Sequence, residues 1–165
     1  MSRVQLALNV ADLEASVTFY SKLFGVEPAK RRPGYANFAI TEPPLKLVLI
    51  EGEPGQDTRL DHLGVEVGST EAVTAAAERL KGAGLATFEE NDTSCCYALQ
   101  DKVWVHGPGR EPWEVYVVKA DAGTLGNSPG PALNDGDACC AGAPAGDDSR
   151  AEAKAEVTVG CGCGN

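Results

Sequence analysis

The chain has 165 residues, 43% of them hydrophobic, and a formal charge of −10 at pH 7. That suffices for one domain of ordinary size, and the acidic balance argues against nucleic acid or anionic membrane as partner. No apolar run approaches the roughly 20 residues of a membrane-spanning helix.

Met1-Ser2-Arg3-Val4 leads straight into a strand pattern, without a signal peptide. Six cysteines in such a chain point to a reducing, cytoplasmic setting and to thiols that bind or react.

Residues 4–10 alternate apolar and other side chains, as a half-buried strand does. A helix is expected next, from an N-cap at Asp12 to about Leu23, with Gly25 as its stop. Val17, Tyr20, Leu23 and Phe24 are expected on its buried face. Short strands follow over 29–32, 35–40 and 45–51, divided by Pro and Gly. The pattern then repeats. Residues 61–67 alternate in the same phase, a helix is expected over about 71–81, and Gly82 and Gly84 end it. Strands are expected near 86–90, 97–105 and 113–119. His62 falls on Gln5, Leu80 on Leu23 and Gly82 on Gly25. The fold class is therefore α+β: paired βαβββ modules, about 3–52 and 60–119, forming a cup. The two modules complete one cup in a single chain or exchange with a second chain as a homodimer; the sequence leaves both open.

The apolar faces of the strands should lie under the helices. Gln5, His62 and Glu114 then all face the concave side. One amide oxygen, one imidazole and one carboxylate there suit a divalent transition metal. His106, in His106-Gly107-Pro108-Gly109, reads as a turn residue.

Cys95 and Cys96 are adjacent. Consecutive Cα atoms lie about 3.8 Å apart, too close for an unstrained disulfide. Neighbouring residues of a regular strand point to opposite faces, so two sulfurs on one target require irregular backbone. Residues 91–96 are expected to form an open, mobile loop over the cup that closes when a soft atom bridges both thiols. The structural alternative is a pair of space-filling cysteines.

Residues 121–165 contain no Phe, Tyr or Trp. This tail is expected to be disordered. It carries Cys139-Cys140 and Cys161-Gly162-Cys163, a candidate arm for capturing soft metals.

The doubled module, Leu60-Asp61-His62-Leu63-Gly64-Val65 and Pro112-Trp113-Glu114-Val115-Tyr116 together resemble the vicinal oxygen chelate superfamily of glyoxalase I and the extradiol dioxygenases. The resemblance covers about residues 3–119 and implies metal ligation by Gln5, His62 and Glu114. Members with a fourth protein ligand carry it on the repeat partner of the last strand, where this chain has Lys46, and an ammonium has no lone pair to give. Three ligands with open positions suit iron(II) and O2. Thr93-Ser94-Cys95-Cys96-Tyr97 and the cysteine-rich tail are similar to the iron(II)-dependent carbon–arsenic lyases. That likeness implies Fe(2+) as cofactor, trivalent organoarsenicals such as methylarsenite and aromatic arsenicals as substrates, O2 as co-substrate and arsenite as product. Cys95 and Cys96 would hold arsenic. Lys102 or Tyr116 would assist with protons or charge, although Lys102 by itself reads as a solvated strand residue. Two other classes stand beside this one: a glyoxalase-like isomerase or thiol transferase, and a non-enzymatic sequestration protein for cadmium or arsenic.

Overall fold

The doubled pattern folds as two βαβββ modules sharing one eight-stranded sheet; the computed structural model describes residues 2–124 and 126. The first module is β1 (Arg3–Val10), α1 (Leu13–Phe24), β2 (Lys30–Arg32), β3 (Tyr35–Ile40) and β4 (Leu45–Glu51). The second is β5 (Arg59–Glu66), α2 (Thr70–Gly82), β6 (Thr87–Cys95), β7 (Ala98–His106) and β8 (Pro112–Asp121). The sheet runs β2-β3-β4-β1-β5-β8-β7-β6. β4 lies parallel to β1, β8 lies parallel to β5, and the antiparallel β1–β5 pair joins the halves.

The helices begin alike. The Asp12 carboxylate accepts from Ala15 N at 2.8 Å, and the Ser69 hydroxyl accepts from Ala72 N at 3.3 Å. Each satisfies a backbone donor that the first turn leaves open. Gly25 then ends α1 at φ 67°, donating to Ser21 O. α1 buries Leu13 and Val17 against Val10, Phe38, Leu47 and Leu49. Burying a side chain such as Val17 stabilises by about 1.5–3 kcal/mol. Tyr20 and Phe24 pack partly on the same cluster, but Leu23 is 58% exposed. At about 100° per residue, Leu23 lies some 120° round from Val17, off the buried face. α2 packs Val73, Ala76, Ala77 and Leu80 on Val103 and Val117. Both helices therefore cover the apolar face of the sheet and leave Gln5, His62 and Glu114 to the other.

The segment expected as an open loop over 91–96 is instead the end of β6, with Cys96 opening the turn to β7. A bulge between Glu90 and Thr93 absorbs the two intervening residues, with Asp92 at φ 53° and its N–H donating to Asp101 Oδ1 at 2.8 Å. Pairing then resumes through Thr93, Ser94 and Cys95. Cys95 faces Ala98 across a two-residue turn, and the residues between them, Cys96 and Tyr97, have φ 53° and 60°. Two positive φ values in succession define the type I′ hairpin turn. His106, read as a turn residue, is the last residue of β7 and pairs with Pro112.

The ends of the sheet curl until they meet. The Tyr35 ring on β3 lies 5.6 Å from the Tyr97 ring. Tyr97 donates its hydroxyl to Pro33 O at 3.2 Å, and Lys30 on β2 donates to Tyr97 O at 3.2 Å. Lys30 also pairs with Asp121. β2 and β3 thus meet the β6–β7 turn and the end of β8. Among the described residues no helix is long and apolar enough to cross a membrane. Cys139, Cys140, Cys161 and Cys163, and the reading of the tail as disordered, lie outside the described residues.

Candidate active site

Strand register builds the floor of the cup. Gly64 on β5 pairs with Gln5 on one side and Glu114 on the other. A Cβ at Gly64 would stand 3.2 Å from both Gln5 Cβ and Tyr116 Cε1. The missing side chain lets those two neighbours close over the strand. His62 lies two residues before Gly64 on β5, opposite Ala7, and a bulge in the β1–β5 register falls at Asp61, just before it. The bulge re-aims Asp61 beside its neighbour. Asp61 Oδ1 lies 2.6 Å from His62 Nδ1, and Asp61 Oδ2 accepts from Asn9 Nδ2 at 2.8 Å.

Three side-chain ends therefore converge. Gln5 Nε2 is 2.9 Å from His62 Nε2 and 2.8 Å from Glu114 Oε1, and the last two atoms are 3.4 Å apart. Ligands bonded to one ion at about 2.1 Å and at right angles stand about 3 Å from each other. The donor set is an imidazole, a carboxylate and an amide that can turn either end inward. It fits a first-row divalent ion such as iron(II). Among the described residues no group of three or more His, Cys, Asp and Glu could hold a metal, so the amide is what completes this trio. Lys46 on β4 pairs in register with Gln5. It donates to Tyr116 Oη at 3.1 Å and lies 3.4 Å from Glu66 Oε2.

Charges around the trio are strongly coupled. Burial opposes charge on His62, but Glu114 and Asp61 outweigh it and push its pKa up to about 9. Burial likewise opposes charge on Glu114, yet Lys102 and His62 hold its carboxyl below the usual range. Lys102 Nζ lies 2.8 Å from Glu114 Oε2. Burial is overcome at Lys102 by Glu114 and by both thiols, so its ammonium is held charged. Far from being a solvated strand residue, Lys102 is 2% exposed. Burial, Glu114 and Glu66 keep Tyr116 a neutral hydroxyl.

Cys95 and Cys96 line the same cavity, about 190 Å³, as Gln5, His62 and Glu114. They form no disulfide, are 3% and 9% exposed, and hold their sulfurs 3.3 Å apart. The turn explains this proximity: φ 53° at Cys96 breaks the strand alternation and swings its side chain to the side of Cys95. The opposite wall carries Tyr35, Asn37 and Val48 from the first module. Gln5, His62, Cys95, Cys96, Lys102 and Glu114 thus all line this cavity, and Tyr116 touches Gln5. Four further side chains had no role assigned from the sequence. Asp61 orients His62, Glu66 Oε2 lies 2.9 Å from Tyr116 Oη, Trp104 sets its ring 5.5 Å from the imidazole, and buried Glu90 accepts from Trp104. The one available sequence signal was the acidic neighbour immediately before His62.

Residues 3–117 match the family model described as Glyoxalase/Bleomycin resistance protein/Dioxygenase superfamily. A protein of Thermomonospora curvata named "Trivalent organoarsenical cleaving enzyme" is 71% identical over 140 residues, 85% of this chain and 89% of that one. A "Cadmium-induced protein CadI" of Mycobacterium bovis is 63% identical over 147 residues, 86% and 95% of the two chains. Among solved structures, an extradiol ring-cleaving dioxygenase from B. fuscum matches with TM-score 0.53 and 22% identity, covering 74% of this chain and 34% of that one. At that identity the likeness is one of fold.

Proposed function

Because the chain belongs to the glyoxalase, bleomycin resistance protein and dioxygenase superfamily, we propose that it is an enzyme of arsenical detoxification. It cleaves the carbon–arsenic bond of trivalent organoarsenicals, methylarsenite and aromatic arsenicals among them, with iron(II) and O2. The observation that carries this reading is one cavity with two chemistries in it. A pair of thiols 3.3 Å apart faces the same space as an amide, imidazole and carboxylate trio. The high identity to an organoarsenical cleaving enzyme agrees with it.

Cys95 and Cys96 act as the clamp. Trivalent arsenic is soft and prefers thiolate donors, and two thiolates satisfy it while its carbon substituent stays attached. A charged Lys102 beside them favours the thiolate form. Gln5, His62 and Glu114 hold the iron, and Asp61 fixes the imidazole so that Nε2 points inward. Iron(II), when bound, supplies the activation of O2 that lets the organic group leave oxidised and arsenic leave as arsenite. Tyr35 and Val48 exclude water from the cup. Holding both partners in one cavity removes much of the entropic barrier to their meeting. Buried cysteines that form no disulfide suit a reducing, cytoplasmic compartment.

The test is anaerobic reconstitution with iron(II), then methylarsenite and air, scoring arsenite. Release of arsenite with O2 uptake is the expected result. A second reading follows from the thiol pair together with the 63% identity to a cadmium-induced protein: stoichiometric sequestration of cadmium or arsenite, with no O2 uptake. Methylglyoxal turnover with glutathione would point instead to a glyoxalase-like isomerase.

A further inference from the structure

Tyr116 has one hydroxyl proton and two acceptors within reach. Its Oη lies 2.6 Å from Gln5 Oε1 and 2.9 Å from Glu66 Oε2. Lys46 Nζ, 3.1 Å away, donates to the same oxygen. The Glu66 carboxylate only accepts and the Lys46 ammonium only donates. Only the Gln5 amide can turn either end toward Tyr116.

The structure has one of two arrangements. Tyr116 gives its proton to Gln5 Oε1, and Gln5 Nε2 donates to Glu114 Oε1 at 2.8 Å. The Tyr116 oxygen then faces Glu66 Oε2 with no proton between them. In the alternative the amide is turned over. Gln5 Nε2 donates to Tyr116, and Tyr116 donates to Glu66. Every donor on that side has an acceptor, and the amide oxygen faces His62 and Glu114. With His62 neutral, as a metal ligand must be, and no metal present, that orientation sets an amide oxygen against a carboxylate oxygen and against the His62 Nε2 lone pair. With a divalent cation between them the repulsion disappears, and the oxygen is the end of the amide able to ligate.

We propose that Tyr116 and Glu66 are positioning residues that present the Gln5 oxygen to the metal. On metal binding the amide turns over and the Tyr116 hydroxyl redirects its hydrogen bond from Gln5 to Glu66. No covalent bond changes; two hydrogen-bond donors, the Tyr116 hydroxyl and the Gln5 amide nitrogen, change acceptor. Arg3 holds Glu66 in place through contacts of 3.1–3.2 Å, and Lys46 pairs with it from the other side. The proposal rests on the reading of Gln5 as a metal ligand.

The experiment is anaerobic titration of the full chain with iron(II) alone. Tyr116→Phe is expected to weaken binding about tenfold or more. In a Gln5→Glu background a carboxylate offers an oxygen at either end, so the same change should cost little. Equal losses in both backgrounds would overturn the proposal. A second readout uses the unaltered protein with zinc as a diamagnetic probe. The Gln5 side-chain amide protons, identified by their loss in Gln5→Glu, should exchange contact with the His62 ring for contact with the Tyr116 ring. Unchanged contacts on adding zinc would also overturn it. Undiminished iron affinity in Gln5→Ala would remove the premise. A loss there with none in Tyr116→Phe would remove only the positioning role.

Discussion

Lys102 Nζ lies 2.8 Å from Glu114 Oε2, while Glu114 Oε1 is the oxygen that meets Gln5 and His62. The lysine on β7 thus occupies one carboxylate oxygen and leaves the other to the cup. Both side chains are 2% exposed, so neither charge is stable there alone. Lys102→Met should destabilise the metal-free protein by about 3 kcal/mol. Iron(II) should restore part of the loss, because a cation then compensates Glu114. Thermal melts with and without iron check this; equal destabilisation in both states would show that the pair does not couple to the site.

His62→Ala should abolish iron binding and turnover, and so should Glu114→Ala. Gln5→Ala should weaken both. Asp61→Asn, which touches only the far ring nitrogen of His62, should loosen iron by about tenfold. Anaerobic iron titration ranks the four variants. Full iron binding by His62→Ala would sink the assignment.

Cys95→Ser and Cys96→Ser should each eliminate capture of methylarsenite at low concentration, because a hydroxyl is a poor ligand for a soft atom. Iron affinity should not change, since the trio stands on β1, β5 and β8. The titrations are best done with residues 127–165 removed, so that tail thiols do not contribute. Unchanged methylarsenite affinity in both variants would favour a packing role for the pair.

Gly64→Ala should damage the site while sparing the fold. The added methyl meets Gln5 and Tyr116 at 3.2 Å, and the Gln5 end is the one that must move. Iron affinity should fall by about tenfold, with a melting temperature lowered by only a few degrees. Retained affinity would show that Gln5 is not held by this contact.

Burial raises the pKa of Glu66, but Lys46 and Arg3 oppose it and help hold the pKa below the ordinary value. A depressed carboxylate stabilises the fold above its unfolded pKa, about 4.3, and that stability disappears as pH falls through the folded value. Glu66→Gln should therefore cost the metal-free protein about 1 kcal/mol at pH 7. The gap should close as the solution is acidified below about pH 4.3. Urea melts of both proteins across pH 3–7 check the sign; a gap that widens on acidification would contradict it.

The modules were legible because binary pattern and punctuation agree. Alternation over 4–10 and 61–67, the Asp12 cap and the Gly25 stop each have a local cause. The trio was legible because equivalent strand positions share a face. Other features depended on long-range geometry. The I′ turn is normally marked by Asn-Gly or Asp-Gly, and Cys96-Tyr97 carries no such mark. The bulge that takes up Asn91 and Asp92 exists because β7 re-registers the strand beyond it, so local turn tendency suggested a loop. Lys102 looks solvated in isolation; only β8 beside it supplies Glu114.

The turn that aims the two sulfurs also sets a conflict between durability and activity. Two residues bearing side chains sit in left-handed conformations, each disfavoured by about 1 kcal/mol or more. Asn or Gly at position 96 would relieve that strain and delete half of the clamp in one step. Selection for heat resistance alone would therefore enrich variants that melt later and no longer detoxify.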